Sequence, residues 1–204
     1  MRIDAEFVVS AAGAADFPRD RLPEIALVGR SNVGKSSLIN ALVRRPLART
    51  SGAPGKTRLA NVYRVKRGSM SPLYLVDLPG YGYARAPRGG SGPGGREAAS
   101  LEFQRLTEAY FARPGARALL LLVDARHPGL DADVQAWEWA RSQSCPAGIV
   151  GTKADKLTRA EHIRNARELE STFHAPVLLV SAQSGEGLEE LWKTIARLPS
   201  QTVA

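Results

Sequence analysis

The sequence predicts an α/β fold with a mostly parallel six-stranded sheet and helices on both faces, and two observations lead to this prediction. Short apolar runs alternate with longer segments whose apolar residues recur at helical spacing. Several runs, such as residues 25–28 and 118–123, are apolar at every position rather than at every second one. Because such strands are buried on both faces, we expect the sheet to form the middle of three layers.

Three strands, a short extended piece and one helix are predicted in the first half of the chain. In order they are the extended piece at 7–9, a strand at 25–28, a helix at 36–45, and strands at 59–66 and 73–76. Pro46 ends the helix, because proline cannot continue helical hydrogen bonding. Residues 49–58 contain Gly and Pro and form a loop, and a turn at Gly68 and Ser69 joins the last two strands.

Helices and strands alternate in the second half. They are predicted as helices at 97–111, 131–142, 159–172 and 187–198, and strands at 118–123, 147–150 and 177–180. Residues 87–95 are rich in Gly, Pro and Ser and offer no side chain that would anchor them. We therefore expect one domain over residues 1–204, with a short N-terminal extension at 1–23 and a flexible glycine-rich loop at about 84–96.

The composition is that of an ordinary globular protein. Apolar residues make up 44% and charged residues 24%, which excludes a wholly disordered or fibrous chain. The single cysteine, Cys145, allows no internal disulfide, and no apolar run is long enough to span a bilayer. Acidic residues near the N-terminus do not fit a signal peptide. We expect a cytoplasmic monomer that has no membrane contact.

The net charge of +8 is unevenly distributed. Residues 25–96 contain thirteen Lys and Arg and one acid, Asp77, which favours a polyanionic partner. A general preference for surface Arg would explain 22 Arg against 6 Lys, but not the scarcity of acids. Four cations outside the motifs described below are expected to contact that partner and to tolerate charge reversal without loss of the fold: Arg44, Arg45, Arg64 and Arg67.

A glycine-rich motif lies between the strand at 25–28 and the helix that follows. It has the pattern G-x-x-x-x-G-K-S and consists of Gly29, Arg30, Ser31, Asn32, Val33, Gly34, Lys35 and Ser36. Glycines let the backbone approach phosphate oxygens, while successive N–H groups and the helix dipole supply positive potential. Lys35 is expected to reach the β and γ phosphates of a nucleotide, and the Ser36 hydroxyl to ligate Mg²⁺.

A second motif, Asp77, Leu78, Pro79 and Gly80, closes the strand at 73–76 with the pattern D-x-x-G. In isolation it is also an ordinary turn sequence. Its place at a strand end, about forty residues after the glycine-rich motif, favours a nucleotide role. There the Asp77 carboxylate would hold Mg²⁺ through water, and the Gly80 N–H would sense the γ phosphate.

A third motif follows the strand at 147–150 and matches the [N/T]-K-x-D pattern of guanine recognition: Thr152, Lys153, Ala154 and Asp155. The Asp155 carboxylate can accept the N1–H and the exocyclic amine of guanine, a donor pair that adenine lacks. Lys153 is expected to lay its stem along the base, and Thr152, in place of the commoner Asn, to give weaker support to neighbouring loops. A loop whose backbone N–H contacts the guanine O6 is expected after the last strand, at Val180, Ser181 and Ala182.

With these three motifs and the loop at 180–182, which we count as the fourth motif, in this order, the chain resembles a translation-factor-type P-loop GTPase, a G domain. The short segments between the motifs resemble those of the EngB (YihA/YsxC) family of bacterial ribosome-biogenesis GTPases, and the resemblance covers about residues 5–198. Three segments are similar to that family: 54–57 (Pro-Gly-Lys-Thr), 80–84 (Gly-Tyr-Gly-Tyr-Ala) and 124–127 (Asp-x-Arg-His). Generic small GTPases lack the first two of these segments. The glycine-rich tract at 87–95 is longer than is usual for the family.

The resemblance implies binding and hydrolysis of GTP with Mg²⁺. By position, Thr57 becomes the threonine that completes Mg²⁺ coordination in the GTP state, beside Ser36 and Asp77. The resemblance also implies nucleotide contacts from Gly55, Lys56, Thr57, Arg58 and Leu59. The implied partners are GTP and GDP, the precursor of the large ribosomal subunit, and its rRNA.

Hydrolysis needs positioned phosphates, charge neutralisation and an oriented water. Small GTPases orient the water with a Gln directly after D-x-x-G, where this chain has Tyr81, so slow intrinsic hydrolysis is expected. Lys35 and Thr57 are predicted catalytic residues. Asn32 is a third candidate, because it occupies the position that ligates K⁺ in similar potassium-activated GTPases; the alternative is an amide that stabilises the loop.

The leading hypothesis is a GTP-switched factor that docks on large-subunit precursor RNA through the basic half of the chain and leaves after hydrolysis. The target comes from the resemblance, because charge indicates only a polyanion. The alternative is a GTP-dependent switch that acts on a protein partner, such as a cell-division or stress factor. A third hypothesis, the GTPase component of a tRNA-modifying enzyme, would require an attached modification domain.

Overall fold

A seven-stranded sheet forms the centre of the computed structural model, which describes residues 2–50, 59–81, 101, 104–115 and 117–200. The strands are β1 (Ile3–Ala11), β2 (Glu24–Gly29), β3 (Ala60–Arg67), β4 (Leu73–Asp77), β5 (Arg117–Asp124), β6 (Ala147–Thr152) and β7 (Val177–Leu179). Their order across the sheet is β1-β3-β4-β2-β5-β6-β7. Five neighbouring strands run parallel to one another, namely β4, β2, β5, β6 and β7. Strand β3 is antiparallel to both β4 and β1.

The sheet has one strand more than the six predicted. The extended piece at 7–9 is the middle of β1, which pairs with β3 from Ile3 opposite Arg67 to Ala11 opposite Ala60. Most residues of this edge strand are exposed or half-buried, so its sequence lacks the apolar run that marks the central strands. Residues 3–11, expected as part of an extension, are therefore an edge strand of the sheet.

Helices cover both faces of the sheet, as predicted. They are α1 (Lys35–Val43), α2 (104–111), α3 (Asp131–Ser142), α4 (Arg159–Phe173) and α5 (Leu188–Arg197). Alternate residues of the central strands enter two separate apolar cores, with Ile25 and Leu27 packed on the side of α1 and α5. Ala26 and Val28 pack on the side of α2, α3 and α4. The α/β class with three layers is thus confirmed.

The glycine-rich tract at 87–95, expected to be flexible, lies outside the described residues. So does most of the loop predicted at 49–58. No helix within the described ranges is both long enough and apolar enough to cross a membrane.

Candidate nucleotide-binding site

The four predicted motifs lie at one edge of the sheet. Each follows a parallel strand: 29–36 follows β2, 77–80 follows β4, 152–155 follows β6, and 180–182 follows β7. Because the carboxyl ends of parallel strands meet at the same edge, the loops after them converge. Motifs that are as much as about 150 residues apart in the chain therefore surround one site.

The loop between β2 and α1 has the backbone shape that its sequence predicts. Gly34, the residue before α1, has a φ of 110°, a left-handed conformation that side chains rarely adopt. Asn32 is also left-handed, with a φ of 63°. The loop leads directly into the first turn of α1, where free N–H groups and the helix dipole favour an anion.

Lys35 is buried inside this loop. Its Nζ donates hydrogen bonds to the carbonyl oxygens of Gly29 at 3.1 Å and Arg30 at 3.4 Å. Burial lowers the pKa of Lys35, and the charge of Asp77 opposes that shift. A desolvated ammonium group at the start of a helix gains from an approaching phosphate, which is the role predicted for Lys35.

Ser36 and Asp77 meet beside Lys35. The Ser36 hydroxyl donates to Asp77 Oδ2 at 2.7 Å, and Asp77 is only 2% exposed. Burial raises the pKa of Asp77, against the charge of Lys35 and the hydrogen bond from Ser36. The other carboxylate oxygen, Oδ1, is buried and has no hydrogen-bond partner within the described part of the chain. This oxygen-rich pair with an unsatisfied carboxylate fits Mg²⁺, which prefers oxygen ligands.

A cleft of about 470 Å³ is lined by Val33 and Gly34 of the glycine-rich loop, by residues of α1, by Thr50, and by residues within 152–156 and 180–183. Asp155 lines it and accepts a hydrogen bond from the Ser181 hydroxyl at 2.7 Å. That bond lowers the pKa of Asp155 and fixes the carboxylate. Ser181 Oγ in turn accepts the backbone N–H groups of Gln183 and Ser184 at 3.1 and 3.0 Å. The sequence predicted only a backbone role for Ser181, and the structure adds a side-chain role in orienting Asp155.

Thr152 contacts the glycine-rich loop; that it gives weaker support than Asn would stays a prediction. Its hydroxyl lies 2.7 Å from the carbonyl oxygen of Val33 and 3.1 Å from that of Val123. Since a hydroxyl has one hydrogen to donate, the shorter contact to Val33 is the better donor bond. Thr152 thus ties the end of β6 to the glycine-rich loop.

Lys153 makes a second link between the same loops. Its Nζ donates to the backbone carbonyl of Asn32 at 2.8 Å and to Asp124 Oδ2 at 2.9 Å. Asp124, at the end of β5, also accepts two hydrogen bonds from the Arg126 guanidinium. Although burial opposes ionisation, the bonds from Arg126 and Lys153 hold the pKa of Asp124 well below its ordinary value. The pattern Asp-x-Arg was visible in the sequence, but its contact with Lys153 was not.

Several predicted site residues contribute backbone or packing rather than polar side chains. Leu78, Pro79 and Ala154 are buried, and the Leu78 N–H donates to the carbonyl of Leu27 at 3.2 Å. Leu59, just before β3, is 40% exposed. Four predicted residues lie outside the described part of the chain: Gly55, Lys56, Thr57 and Arg58.

Comparisons with known proteins agree with this geometry. The family described as "50S ribosome-binding GTPase" matches residues 24–153. A probable GTP-binding protein EngB from Pelotomaculum thermopropionicum is 44% identical over 95% of this chain and 94% of its own length. Another from Symbiobacterium thermophilum is 43% identical over 96% of this chain and 95% of its own.

Solved structures share the fold. The structure of Era in complex with MgGDPNP and nucleotides 1506–1542 of 16S ribosomal RNA has a TM-score of 0.71 and 21% identity. That match covers 87% of this chain and 57% of the Era chain. A crystal structure of a probable GTP-binding protein EngB has a TM-score of 0.58 and 21% identity, over 87% of this chain and 98% of its own.

The contacts of Asp155 lead to a prediction about base specificity. Asp155→Asn should lower GTP affinity by about a hundredfold or more, because the amide presents a donor towards the two donors of guanine. The same variant should accept xanthine nucleotides. Calorimetric titration with GTP and with xanthosine triphosphate measures both effects, and unchanged GTP affinity would contradict the assignment of Asp155 to the base.

Proposed function

Because the chain belongs to the EngB family of GTP-binding proteins, P-loop GTPases that hydrolyse GTP to GDP and phosphate, we propose that it is a GTP-dependent assembly factor for the large ribosomal subunit. The observation that best supports its dependence on GTP is the convergence of the four motifs on one edge of the sheet, where Ser36 donates to Asp77 and Ser181 to Asp155. The matching family's description as a 50S ribosome-binding GTPase supports the choice of partner. A partner of this kind places the protein in the cytoplasm.

Each part of the site has its own proposed task. The N–H groups of residues 29–34 and the Lys35 ammonium hold the β and γ phosphates, and Asp155 selects guanine. Ser36, Asp77 and Thr57 hold Mg²⁺, which when bound neutralises charge that develops on the phosphates. Gly80 offers its N–H to the γ phosphate, so that its position depends on which nucleotide is bound.

Intrinsic hydrolysis is slow in this proposal, because the position after D-x-x-G lacks a carboxamide. Tyr81 stands there, and its hydroxyl is engaged with Asp133 at 2.9 Å rather than free to orient a water. The side chain of Asn32 is exposed, and none of the described residues hydrogen-bonds its carboxamide. That observation favours the K⁺ role of Asn32 over an amide that stabilises the loop.

Some of the basic residues proposed to contact RNA are offset by acidic neighbours. Across β1 and β3, Glu6 faces Arg64 at 3.5 Å and Asp4 lies opposite Lys66 in the register, so the acids of β1 offset those cations. Arg67 does not belong to a free surface. It is 9% exposed, pairs with Glu189 and stacks on Trp192, with its guanidinium 5.4 Å from the ring centre.

For Arg67 these contacts predict that charge reversal destabilises the fold, in contrast to the tolerance expected from the sequence. Reversing it would place two carboxylates together in a partly buried site. Arg44 and Arg45, at the end of α1, are exposed, and the contact of Arg44 with Glu189 is long, at 3.9 Å. We propose these two as the better RNA contacts.

The K⁺ role predicts a salt-specific rate. Wild-type hydrolysis should be roughly tenfold or more faster in KCl than in NaCl at equal ionic strength, since a fixed cation would stabilise charge in the transition state. Asn32→Ala should lose that difference while still binding GDP. Phosphate release under single-turnover conditions measures the rate, and a wild type that is equally fast in both salts would refute the role.

Charge reversal at the end of α1 tests the ribosomal partner. Arg44→Glu with Arg45→Glu should weaken co-sedimentation with large-subunit particles and lower the slope of log affinity against log salt by about two, because two phosphate contacts are lost. GTP affinity and Tm should stay nearly unchanged.

A matched control reverses two exposed cations of α4, Arg159 and Arg167, with the same change in net charge. This control should retain particle binding. If the α1 variant also binds particles as well as wild type, the RNA contact is refuted and a GTP-dependent switch on a protein partner becomes the better hypothesis.

A further inference from the structure

A buried carboxylate lies on the apolar face of α3. Asp133, Trp137 and Ala140 are the buried residues of this helix, spaced so that they share one face. Asp133 is 1% exposed. An unpaired carboxylate at such a buried position would strongly destabilise the fold, so Asp133 needs partners. Those partners indicate the role of the carboxylate.

Two segments of the nucleotide site supply those partners. The Tyr81 hydroxyl donates to Asp133 Oδ1 at 2.9 Å. The Arg30 Nε lies 3.1 Å from the same oxygen, an ion pair rather than an aligned hydrogen bond. Burial raises the pKa of Asp133, and both partners oppose that shift. Asp133 therefore joins the glycine-rich loop to the residue directly after D-x-x-G.

Backbone contacts run alongside this side-chain link. Arg30 and Tyr81 form an isolated parallel β-bridge, and the Ser31 N–H donates to the Tyr81 carbonyl at 3.2 Å. Gly80 packs so tightly here that a Cβ would lie 2.7 Å from the Ser31 nitrogen. Gly80 is thus held directly against the glycine-rich loop.

We propose that Asp133 is a positioning residue that fixes Tyr81 and Arg30 together and thereby keeps Gly80 at the place where its N–H meets the γ phosphate. The inference rests on the role given to Gly80 in the proposed function. It also explains why Tyr stands at the position after D-x-x-G: its hydroxyl anchors the backbone of Gly80 instead of orienting a water.

A positioning role of Asp133 affects the binding of GTP and GDP differently, whereas a purely structural role would affect both alike. Only the γ phosphate accepts the Gly80 N–H. If the backbone position of Gly80 is less well fixed, affinity for the triphosphate and the rate of hydrolysis therefore fall. Affinity for GDP depends on Asp155 and on the glycine-rich loop, which keeps its contacts with Thr152 and Lys153 when the link through Asp133 is lost. Preorganised donors contribute most where charge develops during the reaction.

The test compares Tyr81→Phe and Asp133→Asn with wild type. Each should lower affinity for a non-hydrolysable GTP analogue and the single-turnover rate by about tenfold to a hundredfold, the size expected for one lost hydrogen bond to a charged group. GDP affinity should change less than twofold. The double variant should bind the GTP analogue and hydrolyse GTP no worse than the more impaired single variant, because both changes remove the same contact.

A matched control removes an equivalent contact elsewhere in the sheet. Tyr74 lies in β4, is 4% exposed and donates its hydroxyl to Asp20 at 2.8 Å, so Tyr74→Phe deletes the same kind of bond. It should leave the analogue affinity, the hydrolysis rate and the GDP affinity unchanged.

Three results would overturn the positioning role. These are equal losses of GDP and analogue affinity, additive effects in the double variant, and faster hydrolysis in Tyr81→Phe. Because Tyr81→Phe keeps the aromatic ring, it tests the positioning role even if Asp133→Asn does not fold. None of these measurements involves ribosomes, so a failure of particle binding would overturn the proposed partner and leave this inference standing.

Discussion

The hydrogen bond from the Ser36 hydroxyl to the buried Asp77 carboxylate joins the two segments on which the phosphate end of the site depends. Ser36 is in the first turn of α1 and Asp77 ends β4, so the bond fixes the helix against the sheet. Lys35 lies beside them, also buried, and each charge offsets part of the cost of burying the other. Because Asp77 Oδ1 is buried without a described partner, this cluster is suited to an added cation and an anionic phosphate.

The rest of the site is built outward from this cluster by contacts between loops. Thr152 and Lys153 hold the glycine-rich loop from the base side, through the carbonyls of Val33 and Asn32. Asp133 holds it from the other side, through Arg30 and Tyr81. The loop proposed to bind phosphate is therefore supported by side chains of three different segments, which limits the reorganisation needed when a nucleotide binds.

Local patterns predicted much of the fold and of the site. The motif glycines, Lys35, Ser36 and Asp77 are recognisable because backbone shape and chemistry depend on close neighbours in the chain. Contacts between distant residues were not predictable, since spacing does not reveal which carboxylate meets which donor. The support given by Asp124, Asp133 and the Ser181 hydroxyl became visible only with the structure. The edge strand β1 was underestimated because an exposed strand carries little apolar pattern.

The release rate of a fluorescent GDP tests directly whether Asp77 and Ser36 hold Mg²⁺ beside a bound guanine nucleotide. Wild-type release should accelerate by at least about tenfold when EDTA removes Mg²⁺, because a ligand bound only with the metal is stabilised by it. Asp77→Asn should release GDP at the fast rate with or without Mg²⁺. Equal release rates for wild type in Mg²⁺ and in EDTA would contradict the account.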